Sequence, residues 1–175
     1  MDEVGTSLVE LSPAARHYQE SLHIPVPPLQ VFAHIDDHAR LSAHMGRASW
    51  MMAGGRMDTH VDAGQGRAVG SHIRLSGRVL GIRLFLDEVV TVHEPPYRIV
   101  WQTVGPLQLL IIGHYRMGVE IVPEGDGSRL RVFIDYDLPT PASTRWLGYL
   151  LGGTYARWCV RQMLRSARAV AELPR

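Results

Sequence analysis

Glu88 breaks the pattern of its own strand. Ile82, Leu84, Leu86, Val90 and Val92 alternate as an apolar strand face, and Glu88 falls on that face. A carboxyl group among apolar neighbours is desolvated, its proton affinity rises and it needs a partner. Those conditions suit a polar ligand contact or a general acid/base. Two other readings stay open. A bulge near residues 88–90 would turn Glu88 to solvent, or an arginine would make it a structural ion pair. Tyr115, Met117, Val119 and Ile121 alternate with His114, Arg116 and Glu120. Leu130, Val132, Ile134, Tyr136 and Leu138 alternate with Arg131, Asp135 and Asp137. Tyr115 and Tyr136 would therefore bring hydroxyls to the same interior, with Trp101 beside them. An apolar pocket with a few polar handles is what a ligand site needs, although core aromatics with polar tips at the rim look the same. Glu88, Tyr115 and Tyr136 are the candidates for catalysis.

Other chemistries find less support. His34 and His38 are four apart, but the run His-Ile-Asp-Asp-His lacks the glutamate of a zinc protease pattern and an obvious third ligand. Asp58, His60 and Asp62 would share one strand face, which reads as a wet face. No metal is expected. The run 64–70 is too irregular for a phosphate loop and is followed by a strand, so it reads as a hairpin loop. No Gly-x-Ser-x-Gly elbow occurs. All 18 basic residues are arginine. Without lysine there is no Schiff base and no anchor for pyridoxal phosphate, and no cofactor is expected. The single cysteine, Cys159, excludes an internal disulfide and sits in a helical pattern as a buried, inert thiol.

Charge and composition narrow the partners. A net charge of +1 gives no general attraction to nucleic acid or to an anionic membrane. Abundant Arg, Ala, Gly and Val with neither Lys nor Asn suggests a GC-rich, bacterial source. The segment Met1–Ala15 carries Asp2 and Glu3 and no apolar run, so it reads as a loose leader and not a signal peptide, and a cytoplasmic protein is expected. The longest apolar run, Leu107–Ile112, suits a buried strand and is too short to span a bilayer. If apolar on both faces, it would offer a homodimer surface.

These residues need elements to hold them. The sequence reads as strand, two short helices, six strands and one long helix within a single domain, residues 16–173. Leu22 and Ile24 lie in the first strand, and Pro25, Pro27 and Pro28 end it. Val31, Phe32 and Ile35 mark a first short helix, Leu41 and Met45 a second. Turn signals at 54–55, 63–66, Gly81, 95–96, 105–106 and 124–127 divide the next block into six antiparallel strands. A helix over 142–173 carries an apolar stripe through Tyr149, Ala156, Val160, Met163, Leu164, Ala167, Val170 and Ala171. Arg157, Arg161, Arg165 and Arg168 lie on its other side. Gly152-Gly153 interrupts it, through a kink or a close approach. A single helix must cover a wide sheet, and its inner residues are small. The fold class is therefore α+β, with a space between a curved sheet and the helix. Its expected lining is Ile73, Leu75, Leu86, Trp101, Tyr115, Met117, Ile134 and Tyr136 from the sheet, and Gly153, Ala156, Val160, Met163 and Leu164 from the helix.

Particular stretches resemble the START/Bet v 1-like superfamily, in its polyketide cyclase/dehydrase branch, over about residues 16–173. They are Leu22–Asp36, Val69–Ser71, Leu86–Pro96 with Ile99 and Trp101, the hairpin at 123–128 and the closing helix. The resemblance implies a helix-grip fold: a seven-stranded curved antiparallel sheet, two short helices after the first strand, and a long C-terminal helix over the concave face. The superfamily includes carriers of lipids and hormones as well as cyclases, so the resemblance leaves the function open. The Tyr-Pro pair expected of coenzyme-Q-binding relatives is missing, as is the Cys-Ile-Pro-Gly stretch of the carbon-monoxide-dehydrogenase accessory relatives. Three functions follow as expectations. The first is binding of a small apolar ligand that is lipid-like, aromatic or polyketide-like. The second is an aromatase/cyclase using Glu88 and the tyrosines, and the third is a homodimeric interaction protein.

Overall fold

The computed structural model describes residues 8–37 and 56–172. The chain runs through β1 (Arg16–Ile24), α1 (Pro28–Ile35), β2 (Arg56–Val61), β3 (His72–Val79), β4 (Ile82–Glu94), β5 (Arg98–Gln108), β6 (Tyr115–Glu124), β7 (Gly127–Tyr136) and α2 (Ala142–Arg168). A 3₁₀ turn, Ala169–Glu172, closes it. The strands form one curved seven-stranded sheet in the order β1-β7-β6-β5-β4-β3-β2, with every neighbour antiparallel. Short hairpins join β2 to β7 in sequence, and β1 returns to pair with β7. The second short helix expected around Leu41–Met45 lies outside the described residues.

Alternation positions the core. Ile73, Leu75, Leu84, Leu86, Val90, Ile99, Trp101, Met117, Val119, Leu130, Val132 and Ile134 are all buried and join one cluster with α2. Helix α1 starts on Pro28, whose missing N–H is no loss in a first turn, and buries Val31, Phe32 and Ile35. Helix α2 buries Gly148, Gly152, Ala156, Cys159, Val160, Met163, Leu164 and Ala167. Tyr149 and Ala171, expected on that stripe, are exposed. Tyr149 instead lies under the Arg16 guanidinium, 5.2 Å from it. The arginine side of α2 is not simply solvated. Arg161 pairs with Glu20 of β1 at 2.9 Å, and Arg157 sits over the Tyr18 ring.

Two irregularities depart from the sequence reading. Gly105-Pro106 does not separate two strands. It lies inside β5, where Gly105 takes φ +60° and the register with β4 shifts. The reversal falls later, between Gln108 and Tyr115, so Leu107–Ile112 is the end of β5 and a turn, not one strand. The second shift lies between Val90 and Val92, which pair with the consecutive Trp101 and Val100. It flips parity. Val92 turns to the outer face, and His93 turns inward to meet Phe32 edge-on.

Residues 8–15 lie against the outer face of the sheet. Leu8 bridges to Val104, and the Ser12 amide donates to Asp137 Oδ2 at 3.2 Å. The outer face also carries an ion-pair network. Asp135 accepts from Arg116 and faces His17 at 2.6 Å, and Glu120 pairs with Arg131 and Arg98.

Candidate functional site

The shift in β4 comes one step too late to expel Glu88. The residue pairs with Ile73 on one side and Thr103 on the other, faces inward and is 6% exposed. The Tyr115 hydroxyl, from β6, donates to Glu88 Oε1. The Trp101 indole, from β5, is its second hydrogen-bond partner. Desolvation pushes the Glu88 carboxyl up to about 7, and the charge of Asp87 adds to this. The bonds from Tyr115 and Trp101 pull the other way. No arginine or histidine among the described residues pairs with it.

Tyr115 reaches Glu88 because Thr103 props up its strand. Backbone pairing of β5 with β6 ends at Gln102–Arg116. Beyond that, the Thr103 hydroxyl accepts from the Tyr115 amide at 3.0 Å and lies 3.3 Å from the Tyr115 carbonyl. His114 Nδ1 meets the same hydroxyl at 3.0 Å. Burial and the adjacent Glu88 carboxyl hold the Tyr115 phenol well above its usual range, so it stays a donor.

Helix α2 closes the cluster from above. Burial and the neighbouring Cys159 raise the Tyr155 phenol, and burial pushes the Cys159 thiol up to about 12, so Cys159 is an inert thiol hydrogen-bonded to Tyr155. Both feel the charge of Glu88. Tyr155 nevertheless keeps part of its surface accessible. Tyr155 was missed in the sequence. Its signal was its place on the buried stripe, three residues after Gly152 and four before Cys159.

The glycine pair divides its duties. A methyl on Gly152 would stand 3.2 Å from the Tyr136 ring, so this glycine lets α2 press on β7. A methyl on Gly153 would meet only the Tyr136 hydroxyl, at 3.8 Å, so room remains there. Tyr136 is buried beside Tyr115, its partner across the β6–β7 ladder, and packs against Gly152. No hydrogen bond joins it to Glu88. The sheet residues Ile73, Leu75, Leu86, Trp101, Met117 and Ile134 are buried in one cluster with Ala156, Val160, Met163 and Leu164 of α2. Gly153 is half-buried.

The remaining polar clusters are structural. Asp62 accepts from Ser71 Oγ, the Gly64 amide and the His72 amide, and so ties the β2–β3 loop. His93 Nε2 lies 2.7 Å from Asp36 Oδ1 at the end of α1. Among the described residues no group of three His, Cys, Asp or Glu side chains is placed to hold a metal. His38 lies outside them. No helix among them is long and apolar enough to cross a membrane.

The profile of the "Polyketide cyclase / dehydrase and lipid transport" proteins matches residues 15–172. The chain belongs to this polyketide cyclase/dehydrase family. Known structures place the family member in the Bet v 1-like fold at low identity. A protein of Thermus thermophilus superposes with TM-score 0.64 at 16% identity, over 90% of this chain and 97% of its own. The Zhui aromatase/cyclase of a Streptomyces species gives 0.59 at 15%, over 89% and 94%. Truncated norcoclaurine synthase from Thalictrum flavum gives 0.65 at 10%, over 96% and 100%. At such identities the likeness is one of fold. By sequence, no curated protein matches this cyclase/dehydrase family chain.

Proposed function

We propose that the chain binds a small, largely apolar molecule between the inner face of the sheet and α2, with Glu88 and Tyr115 as its polar handle. Glu88 carries this reading. Raising a buried carboxyl to about 7 corresponds to about 3 kcal/mol of lost stability once the group ionises. An apolar residue of that size would pack the same site without this cost. A group that weakens the fold and points into the interior is best explained by what it contacts there. Native mass spectrometry of the purified chain, followed by titration with the neutral dye Nile red, tests the reading. We expect a retained ligand or saturable dye binding. A chain that carries nothing and takes up no dye would sink it.

The proton affinity of Glu88 favours a second reading, an aromatase/cyclase. A carboxyl near 7 both takes and returns a proton at neutral pH. As carboxylate, Glu88 would take the proton between two carbonyls of a poly-β-keto chain. The resulting enolate carbon would bond to a second carbonyl carbon, whose oxygen would receive that proton. Glu88→Gln should then abolish turnover while Nile red still binds. Unchanged turnover would remove Glu88 from this role.

A further inference from the structure

We propose that the ligand presents a protonated amine to Glu88, with its apolar body lying between Trp101, Tyr115 and Tyr155. The inference rests on the binding reading above and names the ligand class for the same site.

The hydrogen-bond polarity around Glu88 makes the case. Both side chains bonded to the carboxyl are donors: the Tyr115 hydroxyl gives its proton to Oε1, and an indole can only donate. Two donors complement an ionised carboxylate. A protonated carboxyl could turn its hydrogen only to the Tyr115 oxygen, at the cost of the bond that this hydroxyl donates to Oε1, and the indole offers no acceptor. The two hydrogen bonds thus favour a negative charge that burial disfavours, and no positive charge meets it among the described residues. Among the described residues, the titratable groups that act on it are Asp87, next to it in its own strand, which repels, Tyr115 of β6, and Tyr155 and Cys159 of α2, the last three held neutral by burial. Among the described residues, Glu88 is therefore a buried carboxylate with its donors in place and no cation, an incomplete ion pair.

The missing charge fits a ligand cation on two grounds. Trp101 and Tyr115 bond to the carboxyl and Tyr155 lies within reach of its charge, and aromatic faces attract a cation most strongly where water is excluded. A ligand carbonyl would need a donor, and once Glu88 is ionised both donors are already committed to it. A ligand carboxylate would meet a like charge.

Phenethylamine and phenethyl alcohol are matched probes, differing in charge at nearly equal size. Calorimetric titration of the full chain at about pH 8 should show the amine binding about tenfold or more tightly than the alcohol. Glu88→Gln, of nearly the same shape, should erase that preference. In the unaltered chain, affinity for the amine should fall about tenfold per pH unit below about 7, as Glu88 takes up its proton, and that for the alcohol should not. Equal binding of the two probes, a preference that survives Glu88→Gln, or dye binding with neither probe bound would overturn the amine inference and leave the binding reading standing. If neither probe nor dye binds, both fall.

Discussion

Glu88 is where pattern and chemistry meet. Strand parity placed it inside, because a period of two survives as long as no extra residue enters the strand itself; the shift at Phe85–Asp87 puts its extra residues in β5, and β4 gains none before Val90. Its partners were only half legible. Tyr115 shares the inward parity, but its bond to Glu88 depends on β5 and β6 parting after Gln102, which the sequence does not reveal. The donors that hold Glu88 also hold its proton affinity down. Removing one should therefore raise it. Tyr115→Phe deletes a bond to the charged form and keeps the ring, so Glu88 should titrate above its present value of about 7. Carbon-detected NMR of labelled glutamate side chains reads this directly. A titration that stays put or moves down would show that the Tyr115 hydroxyl does not stabilise the carboxylate.

At the level of elements, turn residues and period located most strands, and the failures share a cause. The shift between Val90 and Val92 inserts a residue where the side chains from Val89 to Val92 are all β-branched and fit for a strand, so nothing marks the flip that turns Val92 outward and His93 inward. Gly105-Pro106 carries the composition of a turn, yet a positive φ at one glycine satisfies it as a bulge. The pair in α2 was legible as an interruption but not as two separate roles. Those roles make an unequal prediction. Alanine gains about 1 kcal/mol over glycine in a helix interior. At Gly153, where the nearest atom to an added methyl is 3.8 Å away, Gly153→Ala should raise stability by up to that amount. At Gly152 the methyl would press on the Tyr136 ring at 3.2 Å, so Gly152→Ala should gain less or lose stability. Chemical denaturation of the two variants side by side gives the order. If Gly152→Ala proves the more stable, α2 does not rest on Tyr136 as described.

For the whole molecule, opposing titrations should set the pH of greatest stability. The folded carboxyls of Glu20, Asp62 and Asp135 lie below their ordinary values, through bonds from Tyr18 and Arg161, from Ser71, and from His17 and Arg116 respectively. Their stabilisation is present above the unfolded value and is lost as pH falls through the folded one. Glu88 acts in the other sense. Its folded value is raised, so the native chain holds a proton that the unfolded chain releases, and stability declines as pH climbs from the ordinary glutamate range to about 7. His114, lowered mainly by partial burial, opposes that decline as its unfolded form loses a proton toward 6.5. It is far less buried than Glu88, so Glu88 should prevail. The ligand-free chain should therefore be most stable in mild acid and lose about 3 kcal/mol on the way to neutrality through Glu88. Denaturant midpoints measured across this range should show the decline, and Glu88→Gln should flatten it by removing the titrating group while leaving the acid limb intact. A ligand cation would act on the same limb. By holding Glu88 ionised, it should return at neutral pH the stability that the empty site gives up, so the midpoint with phenethylamine present should change little between mild acid and neutrality. A decline that persists in Glu88→Gln would assign the neutral limb to another group.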